Sequence, residues 1–225
     1  MKDRLGAILR PDQERYLERL LPPRDEILAE MEAAGQAEDI PISDPEVGRL
    51  LEVLAGASRA RRIVEVGTAI GYGTLCLARG APEARVVTMD KDPERLARAR
   101  AWLERAAVAD RVELIEGEAL TVIDQLEGPF DLAYVDAVKT DYRRYLDRLL
   151  PKMSIGGTLV FDNLLWKGHV AEPPDEEEES ARAIGAFNGY LMMHPQLRAV
   201  VLPLGDGVGL AVKAKPTILE MGGPF

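Results

Sequence analysis

The chain contains a single cysteine, Cys76, which excludes an intrachain disulfide. It also lacks any apolar run of the roughly 20 residues that a membrane-spanning helix needs. The N-terminal stretch MKDRLGAILRPDQERYLERLL is charged throughout and has no apolar core ending in a cleavage site, so it does not resemble a signal peptide. These absences predict a cytoplasmic protein with no membrane partner.

The chain has fewer basic than acidic residues, with 28 Lys and Arg against 38 Asp and Glu, which gives a net charge of -10. A protein of this charge is repelled by nucleic acid on average, which argues against a general DNA or RNA binder but leaves room for a local basic patch. Part of the acidity lies in the run Asp175–Glu179. Its composition favours a solvated loop or helix start over a functional role.

The sequence is long enough for one well-buried domain, with 225 residues of which 47% are hydrophobic. We assign residues 1–215 to this domain, with a helical cover over residues 1–60. The last ten residues, 216–225, read as a C-terminal tail because they are rich in proline and glycine.

Three helices are predicted within the cover. Apolar residues recur at helical spacing over 12–21 and 24–37, on either side of Pro22-Pro23, which no helix interior tolerates. Ser43-Asp44-Pro45-Glu46 then predicts a helix start with a capping side chain and proline in the first turn. This third helix should end at about Ala57.

From Arg61 onwards, short β-branched segments alternate with helical ones. The predicted strands cover 62–66, 85–89, 111–115, 130–135 and 157–161, and the helices between them cover 72–80, 93–107, 118–126 and 141–150. This alternation is typical of a doubly wound, parallel α/β sheet. A helix over 178–193 follows, and then strands over 198–203 and 208–213 joined by Gly205-Asp206-Gly207. The pattern predicts a seven-stranded Rossmann-like sheet whose last strand is antiparallel.

The first strand ends in VEVGTAIGYG, where Gly67, Gly71 and Gly73 allow the backbone to turn sharply and approach a ligand. This spacing matches neither the dinucleotide nor the P-loop fingerprint, and no lysine follows to hold a phosphate. Glu65, just before the turn, would repel a pyrophosphate but would suit a cationic sulfonium ligand. A glycine turn that serves packing alone is the alternative.

The next two strand ends strengthen the case for a cofactor site. Asp90 ends the second strand, where a carboxylate can accept hydrogen bonds from both ribose hydroxyls. Asp92 fits a helix cap better than a ligand contact. Glu118 and Ala119 follow the third strand, in a place suited to adenine. Three successive strand ends of suitable chemistry favour a cofactor over a packing turn.

The fourth and fifth strands end in Asp136 and in Asp162-Asn163. If these strands are neighbours, their ends lie about 5 Å apart, so three side-chain oxygens face one point. Oxygen ligands without Cys or His favour Mg²⁺, Mn²⁺ or Ca²⁺, although a strand-end cap is the alternative for each residue alone. A divalent cation would activate and position a substrate hydroxyl, and Lys139 is placed to take its proton.

Other chemically capable side chains give weaker signals. Trp166 follows the predicted metal ligands and could flank a planar substrate, although core packing explains it almost as well. His169 and His194 favour no chemical role, and Cys76 reads as a small buried hydrophobe.

Together these residues resemble the metal-dependent O-methyltransferase family that includes catechol and caffeoyl-coenzyme A O-methyltransferases. The resemblance covers residues 40–215 and rests on VEVGTAIGYGT, FDLAYVDAVKTDYRRYL, GGTLVFDNLLWKGHV and LPLGDGVGLAVK. It implies a homodimer that uses S-adenosylmethionine, with Asp136, Asp162 and Asn163 as metal ligands and Lys139 as base. The predicted cofactor contacts are Ser43, Glu65, Gly67, Gly71, Tyr72, Gly73, Asp90, Lys91, Glu118, Ala119 and Asp136. The predicted substrate contacts are Trp166 and Lys139.

A closer resemblance is to the bacterial branch that methylates 5-hydroxyuridine at the wobble position of tRNA. It rests on YLERLLPPR, EVGTAIGY, NLLWKGHVAE and LMMHPQLRAVVLPLGDG. The adjacent O4 and O5 oxygens of 5-hydroxyuridine could chelate a metal as a catechol does. A wobble base also lies in a single-stranded loop, from which it can be splayed into a pocket. The anticodon loop of tRNA is therefore the first expected substrate.

Two other functions stay open. One is methylation of a small catechol-like or phenolic metabolite, which the acidic net charge favours. The other is a non-catalytic, RNA-associated module that binds S-adenosylmethionine, but such a module has no need of Lys139 and the three metal ligands. A basic patch of Arg10, Arg15, Arg24 and Lys167 at the pocket mouth would favour tRNA, whereas an acidic or closed mouth would favour a small substrate.

Overall fold

The computed structural model describes residues 10–171 and 179–215. The predicted tail over 216–225 and residues 175–178 of the acidic run lie outside the described residues. Within the ranges that are described, no helix is long and apolar enough to span a membrane.

A single seven-stranded sheet forms the centre of the described chain, in the order β3-β2-β1-β4-β5-β7-β6. The strands are β1 (Arg62–Val66), β2 (Arg85–Asp90), β3 (Val112–Glu116), β4 (Phe130–Val135), β5 (Met153–Phe161), β6 (Leu197–Leu202) and β7 (Val208–Lys213). Strand β7 is antiparallel to both of its neighbours, and the other adjacent strands are parallel. The predicted doubly wound α/β sheet with an antiparallel last strand is confirmed.

Helices cover both faces of the sheet. They are α1 (Pro11–Leu20), α2 (Glu26–Glu38), α3 (Pro45–Ala57), α4 (Tyr72–Gly80), α5 (Pro93–Arg105), α6 (Ala119–Gln125), α7 (Tyr142–Leu149) and α8 (Glu179–Met193). Alternate residues of a strand point to opposite faces, so Ile63 of β1 and Leu132 of β4 pack in one core with α3 and α4. Their neighbours Val64 and Ala133 pack in a second core with α7 and α8. Because both faces are buried, the central strands are almost continuously apolar.

The strand order reverses between β1 and β4, and ligands of such sheets bind in the crevice at the carboxyl ends of the strands there. The two strand ends approach each other closely. Gly67 has a φ of +100°, and a Cβ on Gly67 would overlap the carbonyl oxygen of Asp136. Glycine is therefore required at this position, both for the turn and for the contact.

Strand β5 is the element whose predicted bounds differ most from the structure. It begins at Met153 rather than at 157, because Met153 pairs with Phe130 of β4 and the register then shifts before Leu132. The strand thus continues through Gly156-Gly157, which reads locally as a break. Other predicted element ends agree with the structure to within two residues.

The predicted side-chain cap of α3 is wrong. The helix begins at Pro45 as expected, but Asp44 at its N-cap makes no side-chain capping bond within the described residues. The hydroxyl of Ser43 instead lies 2.8 Å from the Tyr134 hydroxyl, and the Asp44 carboxylate lines a cavity. The start of α3 forms part of that cavity's wall, and this tertiary setting overrides the local capping pattern.

Substitution of Gly80 by alanine should destabilise the fold by about 1–3 kcal/mol, the usual cost of overpacking. The helices α3 and α4 touch at this point, and a Cβ on Gly80 would lie 2.6 Å from the Cα atom of Glu52. Gly185→Ala in α8 is the matched control, since no described atom lies within 4 Å of its new Cβ. That variant should gain about 0.5–1 kcal/mol from helix propensity. Urea unfolding measures both, and equal midpoints would refute the packing argument.

Candidate active site

A cavity of about 640 Å³ lies at the carboxyl ends of the strands around the reversal point. Its size falls in the range of small-molecule sites. The loops after β1 to β5 contribute to its wall, and Ser43 from the helical cover closes one side. Ten of the eleven predicted cofactor contacts line it: Ser43, Glu65, Gly67, Tyr72, Gly73, Asp90, Lys91, Glu118, Ala119 and Asp136.

Gly71 is the eleventh predicted contact, and it is not among the described residues that line the cavity. It has a φ of +90° at the start of α4, where a Cβ would lie 3.1 Å from the Cβ of Ala99. The turn geometry and the contact with α5 explain why glycine occurs at this position.

The Asp90 carboxylate connects the end of β2 to the segment 67–73 that follows β1, here called the glycine loop. Its Oδ2 accepts a hydrogen bond from the backbone N–H of Ala69 at 2.9 Å, and its Oδ1 accepts one from the N–H of Asp92 at 3.1 Å. Each oxygen keeps a second lone pair with which it can accept from a ligand hydroxyl. Asp92 itself caps α5 by accepting from the N–H groups of Glu94 and Arg95, as predicted.

Glu65 is a fully buried carboxyl group beside the glycine loop. Its pKa is raised to about 8, mainly by burial and to a smaller extent by the nearby carboxylates of Asp136 and Asp90, while hydrogen bonds from the Thr74 and Thr88 hydroxyls oppose the shift. A Cβ on Gly73 would lie 2.6 Å from Oε1 of Glu65, so this glycine makes room for the carboxyl group. A bound cation would favour its ionised form, which suits a positively charged ligand.

Lys139 lies at the centre of the predicted catalytic residues. Its Nζ donates hydrogen bonds to Oδ1 of Asp136 and Oδ1 of Asn163, both at 2.6 Å, and to the Tyr142 hydroxyl at 2.8 Å. The side chain is only 11% exposed. Of the three residues predicted to present oxygens to one point, Asp136 at the end of β4 and Asn163 after β5 thus converge on the Lys139 charge.

Asp162 lies beside this cluster and is almost completely buried. Its Oδ2 accepts a hydrogen bond from the Tyr134 hydroxyl at 2.8 Å, and its Oδ1 accepts one from the N–H of Asn163 at 2.7 Å. Burial, followed by the charge of Asp136, raises the pKa of Asp162 to about 7. A further cation would relieve the repulsion between these two carboxylates.

The residues present fit a hard divalent cation. Asp136, Asp162 and Asn163 offer two carboxylates and an amide oxygen, which suit Mg²⁺, Mn²⁺ or Ca²⁺. Two of the three already hold a positive group between them. In the described part of the chain, no cluster of three His, Cys, Asp or Glu side chains could hold a metal. A metal site here thus depends on the amide of Asn163.

Sequence reasoning missed the two tyrosines of this cluster, Tyr134 and Tyr142. Both are buried; the Tyr134 hydroxyl donates to the predicted metal ligand Asp162, and the Tyr142 hydroxyl accepts from the predicted base Lys139. The Tyr142 hydroxyl also lies 3.0 Å from the backbone carbonyl oxygen of Asp162, to which it can donate. The available signals were a hydroxyl within the apolar strand FDLAYV and a tyrosine three residues after Lys139. Either was equally compatible with a core position.

The other candidate side chains differ in whether they line the cavity. Trp166 lines the cavity, in a turn after β5 where its own φ is +46°. His169 is not among the described lining residues, and His194 lies at the far end of α8, where burial lowers its pKa and its Nδ1 accepts from the N–H of Gln196. Cys76 is buried, and burial raises the pKa of its thiol.

The cavity wall is acidic. Among described residues, its ionisable acids and bases are the seven acids Asp44, Glu65, Asp90, Glu118, Asp136, Asp162 and Asp206 and the four bases Lys91, Arg95, Lys139 and Lys167. Burial raises the pKa of Asp44, and the charges of Asp206 and Asp136 add to that effect. The wall therefore favours cationic ligands over polyanions.

The basic patch that would have favoured tRNA does not form at this cavity. Of its four members only Lys167 is found in the wall, as far as the chain is described. Arg10 pairs with Asp12 at 3.1 Å, and Arg24 pairs with Glu32 at 2.9 Å. Two of these arginines thus have their charge offset by a carboxylate neighbour.

Comparison with known proteins places these features in a family. The profile of the O-methyltransferase family matches residues 24–214. The chain is 38% identical over 213 residues to a catechol O-methyltransferase of Mycobacterium tuberculosis, a match that covers 90% of this chain and 95% of that protein. The structure is similar to an O-methyltransferase of Bacillus cereus in complex with SAH, with 30% identity, coverage of 90% and 97%, and a TM-score of 0.81. It is equally similar to the O-methyltransferase TomG of Streptomyces achromogenes in complex with SAM, with 31% identity, coverage of 91% and 96%, and a TM-score of 0.81.

Proposed function

The chain belongs to the O-methyltransferase family and is an S-adenosylmethionine-dependent O-methyltransferase, and from this premise we propose that its acceptor is a small catechol-like molecule. The observation that carries the proposal is the convergence of Asp136 and Asn163 oxygens on Lys139 at the end of an acidic cavity. Two adjacent oxygens on a substrate could share a metal held there. A catechol has this arrangement of oxygens.

The methyl donor would lie along the glycine loop. Asp90 would accept from its ribose hydroxyls, and Glu118 and Ala119 line the cavity where adenine is expected. The sulfonium carries a positive charge, which the buried carboxyl group of Glu65 and the acidic wall would stabilise. A donor held by these contacts would have its methyl group near the ends of β4 and β5, which line the same cavity.

The acceptor would bind at the ends of β4 and β5. A divalent cation held by Asp136, Asp162 and Asn163 would supply Lewis acidity that makes a substrate hydroxyl easier to deprotonate. The cation would replace the Lys139 ammonium as the positive group between Asp136 and Asn163, so that Lys139 could give up its own proton and then act as the base for the hydroxyl. The oxygen–carbon bond then forms as the carbon–sulfur bond breaks, and the electron pair of that bond goes to sulfur. Trp166 could cover the planar ring of the acceptor, since it lines the same cavity.

Two observations support a small acceptor over tRNA. The wall has more acids than bases, and the arginines expected to hold a phosphate backbone are not among its described residues. The relative from Mycobacterium tuberculosis is named for catechol. Methylation of 5-hydroxyuridine in tRNA, which the sequence resemblance put first, is supported by neither observation. It serves as the competing acceptor in the test.

The test is transfer of labelled methyl from S-adenosylmethionine to catechol, to phenol and to tRNA bearing 5-hydroxyuridine. Each reaction is run with Mg²⁺ and with a chelator. We expect metal-dependent labelling of catechol, little labelling of phenol because it lacks a second oxygen, and little labelling of tRNA. Efficient labelling of tRNA with silent catechol would overturn the small-molecule proposal.

Asp90→Asn should weaken cofactor binding about 10- to 100-fold, as expected when a charged acceptor of ligand hydrogen bonds is lost. It also replaces one of the two oxygens that accept from the N–H groups of Ala69 and Asp92. Calorimetric titration with S-adenosylhomocysteine measures the change. Asp92→Asn is the matched control, because asparagine caps a helix as well as aspartate does. Equal affinities of the two variants would place the ribose contact elsewhere.

The resemblance implies a homodimer and the composition predicts a cytoplasmic location, and both stay predictions. Sedimentation equilibrium of the purified protein tests the first, and a mass of twice 24.7 kDa would support it.

A further inference from the structure

Tyr134 of β4 connects three parts of the candidate site through buried contacts. Its hydroxyl lies 2.8 Å from Oγ of Ser43, which belongs to the helical cover, and 2.8 Å from Oδ2 of Asp162 at the end of β5. Its ring lies against the glycine loop, since a Cβ on Gly73 would be 3.0 Å from the ring atom Cε1. Tyr134, Asp162 and Ser43 are 1%, 2% and 7% exposed, so bulk water has little access to these hydroxyls.

The two hydrogen bonds that link Ser43, Tyr134 and Asp162 have a fixed direction when Asp162 is ionised. A carboxylate can only accept, so the single hydrogen of the Tyr134 hydroxyl points to Asp162. Ser43 must then donate its hydrogen to the oxygen of Tyr134. The lone pairs of Ser43, whose side chain lines the cavity, are left to accept from a ligand.

We infer that Tyr134 is a positioning residue that aligns Asp162 for the metal and links this alignment to Ser43 in the cofactor pocket. The inference rests on the proposed role of Asp162 as a metal ligand. Asp162 has one oxygen held by the backbone N–H of Asn163 and the other held by Tyr134. With both oxygens anchored, the carboxylate cannot rotate away from Asp136 and Asn163. Ser43 acts on Asp162 only through Tyr134.

A tyrosine that only packed in the core would give a different result when substituted. Its loss would lower the free energy of unfolding, and apparent metal affinity would fall only because less of the protein is folded. The positioning role predicts a specific loss of metal affinity in a folded protein. Outer partners of metal ligands contribute about 10- to 100-fold to metal affinity.

The experiment is a titration of the whole protein with Mn²⁺, followed by electron paramagnetic resonance, for wild type, Tyr134→Phe, Ser43→Ala and the double variant. We expect Tyr134→Phe to bind Mn²⁺ about 10- to 100-fold more weakly while keeping a cooperative unfolding transition. Ser43→Ala should lower the affinity about fivefold, the value of one hydrogen bond. In the Tyr134→Phe background, Ser43→Ala should have no further effect on Mn²⁺ affinity.

Tyr190→Phe is the matched control, because the Tyr190 hydroxyl donates to Asp147 at 2.6 Å on the surface. It should bind Mn²⁺ as wild type does. Equal affinity of folded Tyr134→Phe and wild type would overturn the inference alone, whereas a wild type that binds no Mn²⁺ would overturn the proposed metal site. If Tyr134→Phe does not fold, Ser43→Ala carries the test, and an unchanged Mn²⁺ affinity there overturns the inference.

Discussion

Lys139→Met should lower the turnover number about 10²- to 10⁴-fold, the range that a general base contributes. Methionine preserves the apolar stem of the side chain but cannot accept a proton. Affinity for Mn²⁺ should not fall, because the lysine nitrogen and a cation draw on the same oxygens of Asp136 and Asn163. Single-turnover rates at saturating cofactor and acceptor measure the loss at the chemical step.

Lys213→Met is the control for this variant. The Lys213 ammonium donates to the backbone carbonyls of Leu150 and Met153 at 2.8 Å. These contacts lie at the amino end of β5, whereas the site lies at its carboxyl end. The same chemical change there should leave the single-turnover rate unaltered. A Lys139→Met enzyme as fast as the Lys213→Met enzyme would mean that another group takes the proton.

Asp162→Asn should remove metal-stimulated methyl transfer and weaken Mn²⁺ binding by more than about 100-fold, beyond the effect of an outer partner. Asparagine is chosen over alanine because its oxygen can still accept from the N–H of Asn163 and its amide can still reach the Tyr134 hydroxyl. Alanine would leave these buried groups unpaired at a cost of about 1–3 kcal/mol each. Calorimetry should find the affinity for S-adenosylhomocysteine mostly retained.

Asp131→Asn provides the comparison on the same strands. Asp131 lies at the start of β4 and accepts from the N–H groups of Arg61 and Arg62 and from the Ser154 hydroxyl. Its variant should need Mg²⁺ as wild type does. Metal-stimulated turnover that survives in Asp162→Asn would move the metal away from the end of β5.

The fold was predictable because each of its signals is local. The alternation of short strands and helices predicts a doubly wound sheet, and Gly205-Asp206-Gly207 predicts the turn of the antiparallel hairpin. The start of β5 was not predictable, since pairing of Met153 with Phe130 overrides the break that two glycines suggest. Register depends on the partner strand, which a local pattern does not contain.

The site was predictable only as far as topology determines it. Parallel strands bring Asp90, Asp136 and Asp162 to one edge of the sheet whatever the side chains do. The positions of the Tyr134 and Tyr142 hydroxyls depend on how the buried rings pack. Hydrophobic periodicity cannot distinguish a tyrosine that only packs in the core from one whose hydroxyl contacts a site residue. The absence of the arginine patch could not be predicted for a similar reason. Whether an arginine is paired with a carboxylate depends on its neighbours in space, as for Arg10 and Arg24.

The contact between Gly67 and the Asp136 carbonyl has a dynamic consequence. Hydrogen bonds continue beyond the strand ends, from the N–H of Gly67 to the carbonyl of Met89, from Asp136 to Val66 and from Asp162 to Val135. The amide protons of these site residues should therefore exchange with solvent as slowly as those of the central strands. In energetic terms, the glycine loop and the proposed metal ligands belong to one cooperative unit. The alignment needed for methyl transfer is then fixed when the chain folds, and heat should abolish it only by melting the sheet.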